Sequence, residues 1–297
     1  MTEGWRGMDR ERLDREYNAR ATVPDITPFL ERYAALSAEM RRALPCHLDV
    51  AYGPSEAEAM DIFPADPGAP VFVYIHGGYW RLLAKEDSAF MAGGFTAAGT
   101  AVAALDYALA PAVTLDEIVR QVRAAIAWLW ANGDEFGIDP HRIFVGGSSA
   151  GGHLVGMAVA GGWQERFGVP ENVVKGGVAL SGLFDVAPLR HCHVNDWLDL
   201  DAGADDRLSP IRNLPESGPP LIVSWGGSET AEFKRQSRDY AAAWQAAGFP
   251  VEAFEESARN HFDIVLDLAD PESRLFARTR DMIAATGQEK AGLAPAG

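Results

Sequence analysis

The chain has 297 residues, 42 acidic against 26 basic, for a formal charge of −16, which argues against nucleic acid or an anionic membrane as partner. Its length suits one large α/β domain with a core of its own, and no apolar run reaches the length of a membrane span. Two cysteines far apart, Cys46 and Cys192, suggest a reducing, cytoplasmic setting rather than a disulfide framework.

The chain begins with MTEGWRGMDRERLDREYNAR, which is charged and lacks the apolar centre of a signal peptide. Residues 1–45 read as a helical segment packed on a larger body. After Pro24 and Pro28, the residues Phe29, Leu30, Tyr33, Leu36 and Met40 recur at helical intervals and predict a helix over 29–44 with one apolar stripe. From Cys46, LDVAY and AMDIF flank Gly53-Pro54-Ser55 and predict a β-hairpin at a sheet edge. Past residue 70 the pattern changes to near-continuous apolar runs at 71–76, 100–107, 142–147, 173–182, 220–227 and 251–256. Between them lie amphipathic helices, predicted at 115–130 and at 231–247 with a stop at Gly248. Strands buried on both faces and separated by helices imply a parallel sheet. With the hairpin, an eight-stranded, mostly parallel sheet is expected over residues 46–286, with helices on both faces. Residues 183–219, rich in acids and broken by Ser209-Pro210 and Leu214-Pro215, form either a small cap or a long loop. Residues 287–297 are expected as a flexible tail.

The run RIFVGGSSAGGHL, from Arg142 to Leu154, is strand, sharp turn and helix, with Gly147, Ser149 and Gly151 in a G-x-S-x-G pattern. A nucleophile projected from such a turn needs glycines around it, because a Cβ would collide with neighbouring backbone. The helix that follows aims free N–H groups and a positive dipole end at charge developing near Ser149.

A serine hydroxyl needs a base within hydrogen-bond reach and a third group to orient that base. In an open parallel sheet these arrive on loops at the carboxyl ends of strands. Of the seven histidines, only His261, in SARNHF just past the last strand, stands behind the serine in such a loop and in the order serine, acid, histidine. His153 lies inside the helix, and His191 and His193 lie in the 183–219 segment. For the acid, Glu229 in GGSET follows a glycine pair and directly precedes a helix; Asp185, after SGLF, is the rival.

Tyr74-Ile75-His76-Gly77-Gly78-Tyr79-Trp80-Arg81 ends the first long buried strand. Acyl transfer builds an oxyanion that needs two or three backbone donors, and the amides of Gly77, Gly78 and Ala150 are suitably placed. His-Gly-Gly about seventy residues before G-x-S-x-G is a specific pairing. Tyr79 and Trp80 beside it are candidate aromatic substrate contacts, or packing for the loop. No HExxH, CxxC, P-loop or GxGxxG is present, so neither metal nor cofactor is expected; His191-Cys192-His193 is a run of neighbours that cannot all aim at one ion from regular structure.

HGGYW together with GSSAG, and an acid and a histidine in order behind them, resembles the kynurenine formamidase (arylformamidase) branch of the α/β-hydrolase fold, with the hormone-sensitive-lipase-like esterases as cousins. The likeness runs from about Asp49 onward and includes LDYALAP (Leu105 to Pro111), similar to the DYRLAP stretch of those esterases; LDREYN near the start is similar to bacterial members. The resemblance implies Ser149 as nucleophile, His261 as base and Glu229 as acid, with oxyanion donors at Gly77, Gly78 and Ala150. Two positions depart from the pattern: Ser148 stands where the esterases usually have Asp, and Glu229 where the formamidases usually carry Asp. The implied activity is hydrolysis of a small-molecule amide, N-formylkynurenine to kynurenine and formate, through an acyl-enzyme. A carboxylesterase of short-chain or aryl esters is the alternative, and a non-catalytic binder on the same fold a further one. A homodimer is the assembly considered.

Overall fold

The computed structural model describes residues 5–285; the tail expected at 287–297 lies outside them. Eight strands form one sheet among the described residues: β1 (His47–Ala51), β2 (Ala59–Phe63), β3 (Ala69–Ile75), β4 (Ala101–Leu105), β5 (Ile138–Ser148), β6 (Val174–Leu180), β7 (Leu221–Gly226) and β8 (Val251–Glu256). Their order is β1-β2-β4-β3-β5-β6-β7-β8. The β1–β2 hairpin sits at the edge and pairs antiparallel with β4, and every later pairing is parallel. This is the sheet expected from the apolar runs. β5 starts four residues earlier than its apolar run, because Ile138 pairs with Ala69 before the register shifts between Ala69 and Val71. That irregularity accommodates Pro140, which has no N–H for a regular ladder.

The apolar strands are continuous because both faces are covered. Along β3, Val71, Val73 and Ile75 enter one core, whereas Phe72 and Tyr74 enter the other. The helices are α1 (Arg10–Glu16), α2 (Thr27–Ala43), α3 (Ala92–Ala97), α4 (Leu115–Asn132), α5 (Ala150–Val159), α6 (Gln164–Phe167), α7 (Asn195–Leu198), α8 (Ala204–Arg207), α9 (Ala231–Ala246) and α10 (Arg274–Ala285). α4, α5 and α9 supply the first core, with Leu13 and Tyr17 of the amino-terminal segment; α3 and α10 supply the second. The stripe expected on α2 closes over this second core: Tyr33 is buried in it, and Phe29, Leu30, Leu36 and Met40 pack on its rim. α4 begins at Thr114, whose hydroxyl accepts from the Glu117 amide, a side-chain N-cap. Residues 183–219 hold α7, α8 and short 3-10 turns, and Leu183, Phe184, Val186 and Leu189 are buried in the first core. No helix among the described residues is long and apolar enough to cross a membrane.

Phe72 is wholly buried and stacks on Phe95 with ring centroids 4.9 Å apart. Phe72→Ala is expected to cost about 3–5 kcal/mol, read as a lower urea midpoint at unchanged m-value.

Candidate active site

β5 ends at Ser148, and Ser149 turns with φ 59° and ψ −118° before α5 begins at Ala150. A non-glycine residue held at positive φ stores strain that the surroundings must impose. Here they do so by close approach. A Cβ at Gly151 would lie 2.0 Å from the Ile75 carbonyl oxygen, and one at Gly147 2.6 Å from that same atom. The turn is therefore pressed against the carboxyl end of β3, and only glycine fits two residues before and two residues after the serine. The Ser149 hydroxyl does not cap the helix behind it, which leaves it free for chemistry.

The acid and the histidine arrive on adjoining loops. After β7, the Gly227 amide donates to the Glu256 carbonyl (2.9 Å) and the Ser228 amide to the Arg259 carbonyl (3.0 Å), so the GGSET loop lies against the loop carrying His261. The Glu229 side chain is buried. One of its oxygens accepts from the Ser181 hydroxyl (2.5 Å) and the Gly226 amide (2.6 Å); the other faces His261 Nδ1 at 3.3 Å. Asp185, the rival acid, is engaged elsewhere: it accepts from the Ala187 amide (3.1 Å) and lies 3.8 Å from Arg212. Glu229 is thus the carboxylate that meets His261. The His261 ring also rests on Phe233, centroids 4.5 Å apart. Ser149 and His261 line one cavity, with no hydrogen bond joining their side chains among the described residues; such contacts are often long without substrate and tighten when it binds.

The HGG loop is braced from behind. The Tyr107 hydroxyl donates to the carbonyls of His76 (2.9 Å) and Gly77 (3.3 Å), and its ring stacks on His76 at 4.1 Å. His76 Nδ1 faces the Gly77 carbonyl (3.0 Å) and Nε2 faces Asp106 (3.3 Å). With its carbonyls turned inward, the loop leaves the Gly77 and Gly78 amides without a hydrogen-bond acceptor among the described residues. Ala150 opens α5, so its amide has no intrahelical partner either. All three candidate oxyanion donors are unspent.

The two aromatics after the glycines separate. Tyr79 lines the cavity, and its hydroxyl donates to the Tyr17 carbonyl (2.5 Å). Trp80, a candidate substrate contact, is absent from the cavity lining and takes the packing place that was its alternative. It is wholly buried with its ring edge-on to His153 at 5.0 Å. His153 is itself no candidate base: burial pushes it down to about 4, and its Nε2–H donates to the Leu208 carbonyl (2.8 Å).

The cavity measures about 350 Å³, within the range of small-molecule sites. Much of its wall comes from residues the sequence did not single out for it: Tyr17, Leu30 and Tyr33 from the amino-terminal segment, Phe90 after the HGG loop, and Trp197 from the 183–219 segment. The amino-terminal segment also grips the loops themselves. The Tyr33 hydroxyl donates to the Phe262 carbonyl, the Thr230 hydroxyl to the Glu16 carbonyl (2.6 Å), and the Tyr17 hydroxyl to Glu232 (2.8 Å). The available signals were Tyr33 in the helical stripe and Tyr17 inside LDREYN. Cys192 and His193 approach Asp14 of α1, whose carboxylate already takes the His193 amide (2.5 Å) and neighbours Arg10 (3.7 Å); burial raises the Cys192 thiol to about 12. This reads as a tie between α1 and the 183–219 segment.

Comparison with known proteins points to hydrolases of this fold. The BD-FAE family model matches residues 60–193. A kynurenine formamidase of Danio rerio is 28% identical over 280 residues, covering 90% of this chain and 94% of that protein. The esterase LipQ of Mycobacterium tuberculosis is 27% identical, covering 86% of this chain and 63% of its own. A crystal structure from Silicibacter sp. TM1040, provisionally named a thioesterase, superposes with a TM-score of 0.78 at 31% identity, over 89% of this chain and 97% of that one.

Tyr107→Phe removes the donor shared by two carbonyls of the HGG loop. It is expected to cost about 1–3 kcal/mol of stability, measured by urea denaturation, with a crystal structure showing the loop displaced.

Proposed function

The chain is a hydrolase of the α/β-hydrolase family, and on that premise we propose that it cleaves an aryl formamide through an acyl-enzyme, with N-formylkynurenine, hydrolysed to kynurenine and formate, as the substrate. In this reading Ser149 is the nucleophile. His261 Nε2 takes the hydroxyl proton as Oγ attacks the formyl carbon. The tetrahedral oxyanion rests on the amides of Gly77, Gly78 and Ala150. As the carbon–nitrogen bond breaks, His261 returns its proton to the departing arylamine. A water molecule, deprotonated by the same ring, then attacks the formyl ester, and formate leaves as Ser149 regains its proton. Glu229 holds the Nδ1–H, fixes the tautomer that leaves Nε2 facing the serine, and stabilises the imidazolium.

One observation carries the proposal: a buried carboxylate, anchored by Ser181 and the Gly226 amide, sits 3.3 Å from His261 Nδ1, while His261 and a serine on a strained turn line one cavity. The aromatic residues of that cavity, Tyr79, Phe90 and Trp197 among them, favour an aryl leaving group, and the fish relative's name supports the formamide. A carboxylesterase of short-chain or aryl esters is the second reading, favoured by the mycobacterial relative. It uses the same residues and differs only in acyl group.

Three measurements test this. A fluorophosphonate probe should label the wild type and leave Ser149→Ala unlabelled; an unlabelled folded wild type would favour a binding protein. N-Formylkynurenine should exceed aryl acetates and butyrates in kcat/KM, and butyrates winning by orders of magnitude would replace the formamidase with the esterase. Glu229→Gln should lower kcat on the order of 10³–10⁴-fold with KM little changed, and a loss under tenfold would remove Glu229 from its role.

A further inference from the structure

We propose that Arg81, with Arg20 on the same cavity, reads a carboxylate carried by the leaving-group half of the substrate. The inference rests on the hydrolase reading of this cavity and adds a charge requirement to it.

In a chain with 42 acids and 26 basic residues, a guanidinium readily finds a carboxylate. Arg41 pairs with Asp61, Arg120 with Glu58, and Arg235 with Glu232. Arg20 and Arg81, like several others such as Arg12, Arg32 and Arg123, have no carboxylate partner among the described residues, and they are the two arginines that line the cavity, both exposed. Arg81 is also held in place. Its guanidinium lies over the Trp197 ring, 4.4 Å from the centroid, and the Trp197 indole N–H donates to the Tyr79 carbonyl (3.2 Å). A guanidinium stacked on one face keeps its N–H edges free, and that planar fork matches a carboxylate through two parallel hydrogen bonds. The Arg81 amide donates to the Gly78 carbonyl (3.1 Å), so one short loop carries both a candidate oxyanion donor and this cation. The anion is therefore expected at a set distance from the scissile bond, on the side of the departing group. Asp87 also lines the cavity, but no ion pair joins it to Arg81 or Arg20 among the described residues. Two arginines without a carboxylate partner, on a cavity that also carries Tyr17, Tyr33, Tyr79, Phe90 and Trp197, suit an anionic aryl compound.

Two substrate pairs test the proposal, each with one reacting group. The first is N-formylkynurenine and its analogue lacking the carboxylate; the second is 4-carboxyphenyl acetate and phenyl acetate. The wild type should prefer the carboxylate-bearing member of a pair by about tenfold or more in kcat/KM, and added salt should erode that preference. Arg81→Gln should collapse the ratio mainly through KM, Arg81→Lys should restore part of it, and Arg20→Gln, outside the oxyanion loop, should lower it by less. Using ratios separates loss of the anion contact from damage to the loop, which would depress both members alike. If the formyl pair is not hydrolysed, the formamidase reading fails while the ester pair still reports on the arginines. A wild-type ratio near one, or a ratio that neither Arg81→Gln nor Arg20→Gln changes, would overturn the proposal.

Discussion

The site depends on a single close approach, that of the first turn of α5 to the last carbonyl of β3. No side chain fits between Gly151 and the Ile75 oxygen, so the turn after β5 has one way to pass the end of its neighbouring strand. That passage puts Ser149 into the left-handed region, starts a helix directly behind it, and brings the HGG loop alongside, since that loop is the continuation of the same β3. A Cβ on Gly77 would lie 2.7 Å from the Ser148 carbonyl. Ser149 and the candidate oxyanion donors are therefore set by backbone packing, and rotamers have little to add.

The other half of the site is assembled by loops leaving β7 and β8, which lock together through backbone hydrogen bonds at Gly227 and Ser228. Glu229 has partners on both oxygens, so a positive charge on His261 would need little reorganisation around it. Around this centre the amino-terminal segment acts as a brace and a wall together. It contributes Tyr17 and Tyr33 to the cavity, and through Glu16 and the Tyr33 hydroxyl it grips the loops that carry Glu229 and His261.

Much of this was legible in the sequence because its causes are local. Strands covered on both faces must be apolar throughout, so the runs at 71–76 or 142–147 announced the parallel sheet. A crowded turn admits only glycine, so Gly147 and Gly151 marked Ser149. Chain order and position at strand ends then narrowed seven histidines to one. The choice between Glu229 and Asp185 was not local: both follow strand ends, and only contacts with Ser181, Gly226 and Arg212 separate them. Tyr79 and Trp80 are neighbours of similar character in a turn where both have positive φ. No periodicity assigns such residues a side, and Trp80 accordingly turned into the core. The amino-terminal wall was hidden for the same reason, because Tyr33 meets Phe262 across most of the chain.

The strained backbone at Ser149 sets stability against chemistry at one position. A positive φ on a residue with a side chain costs on the order of 1–3 kcal/mol, and glycine would relieve most of it. Breeding this protein for heat resistance alone would therefore drift toward discarding Ser149, and any thermostable lineage should be screened for turnover as well as for melting.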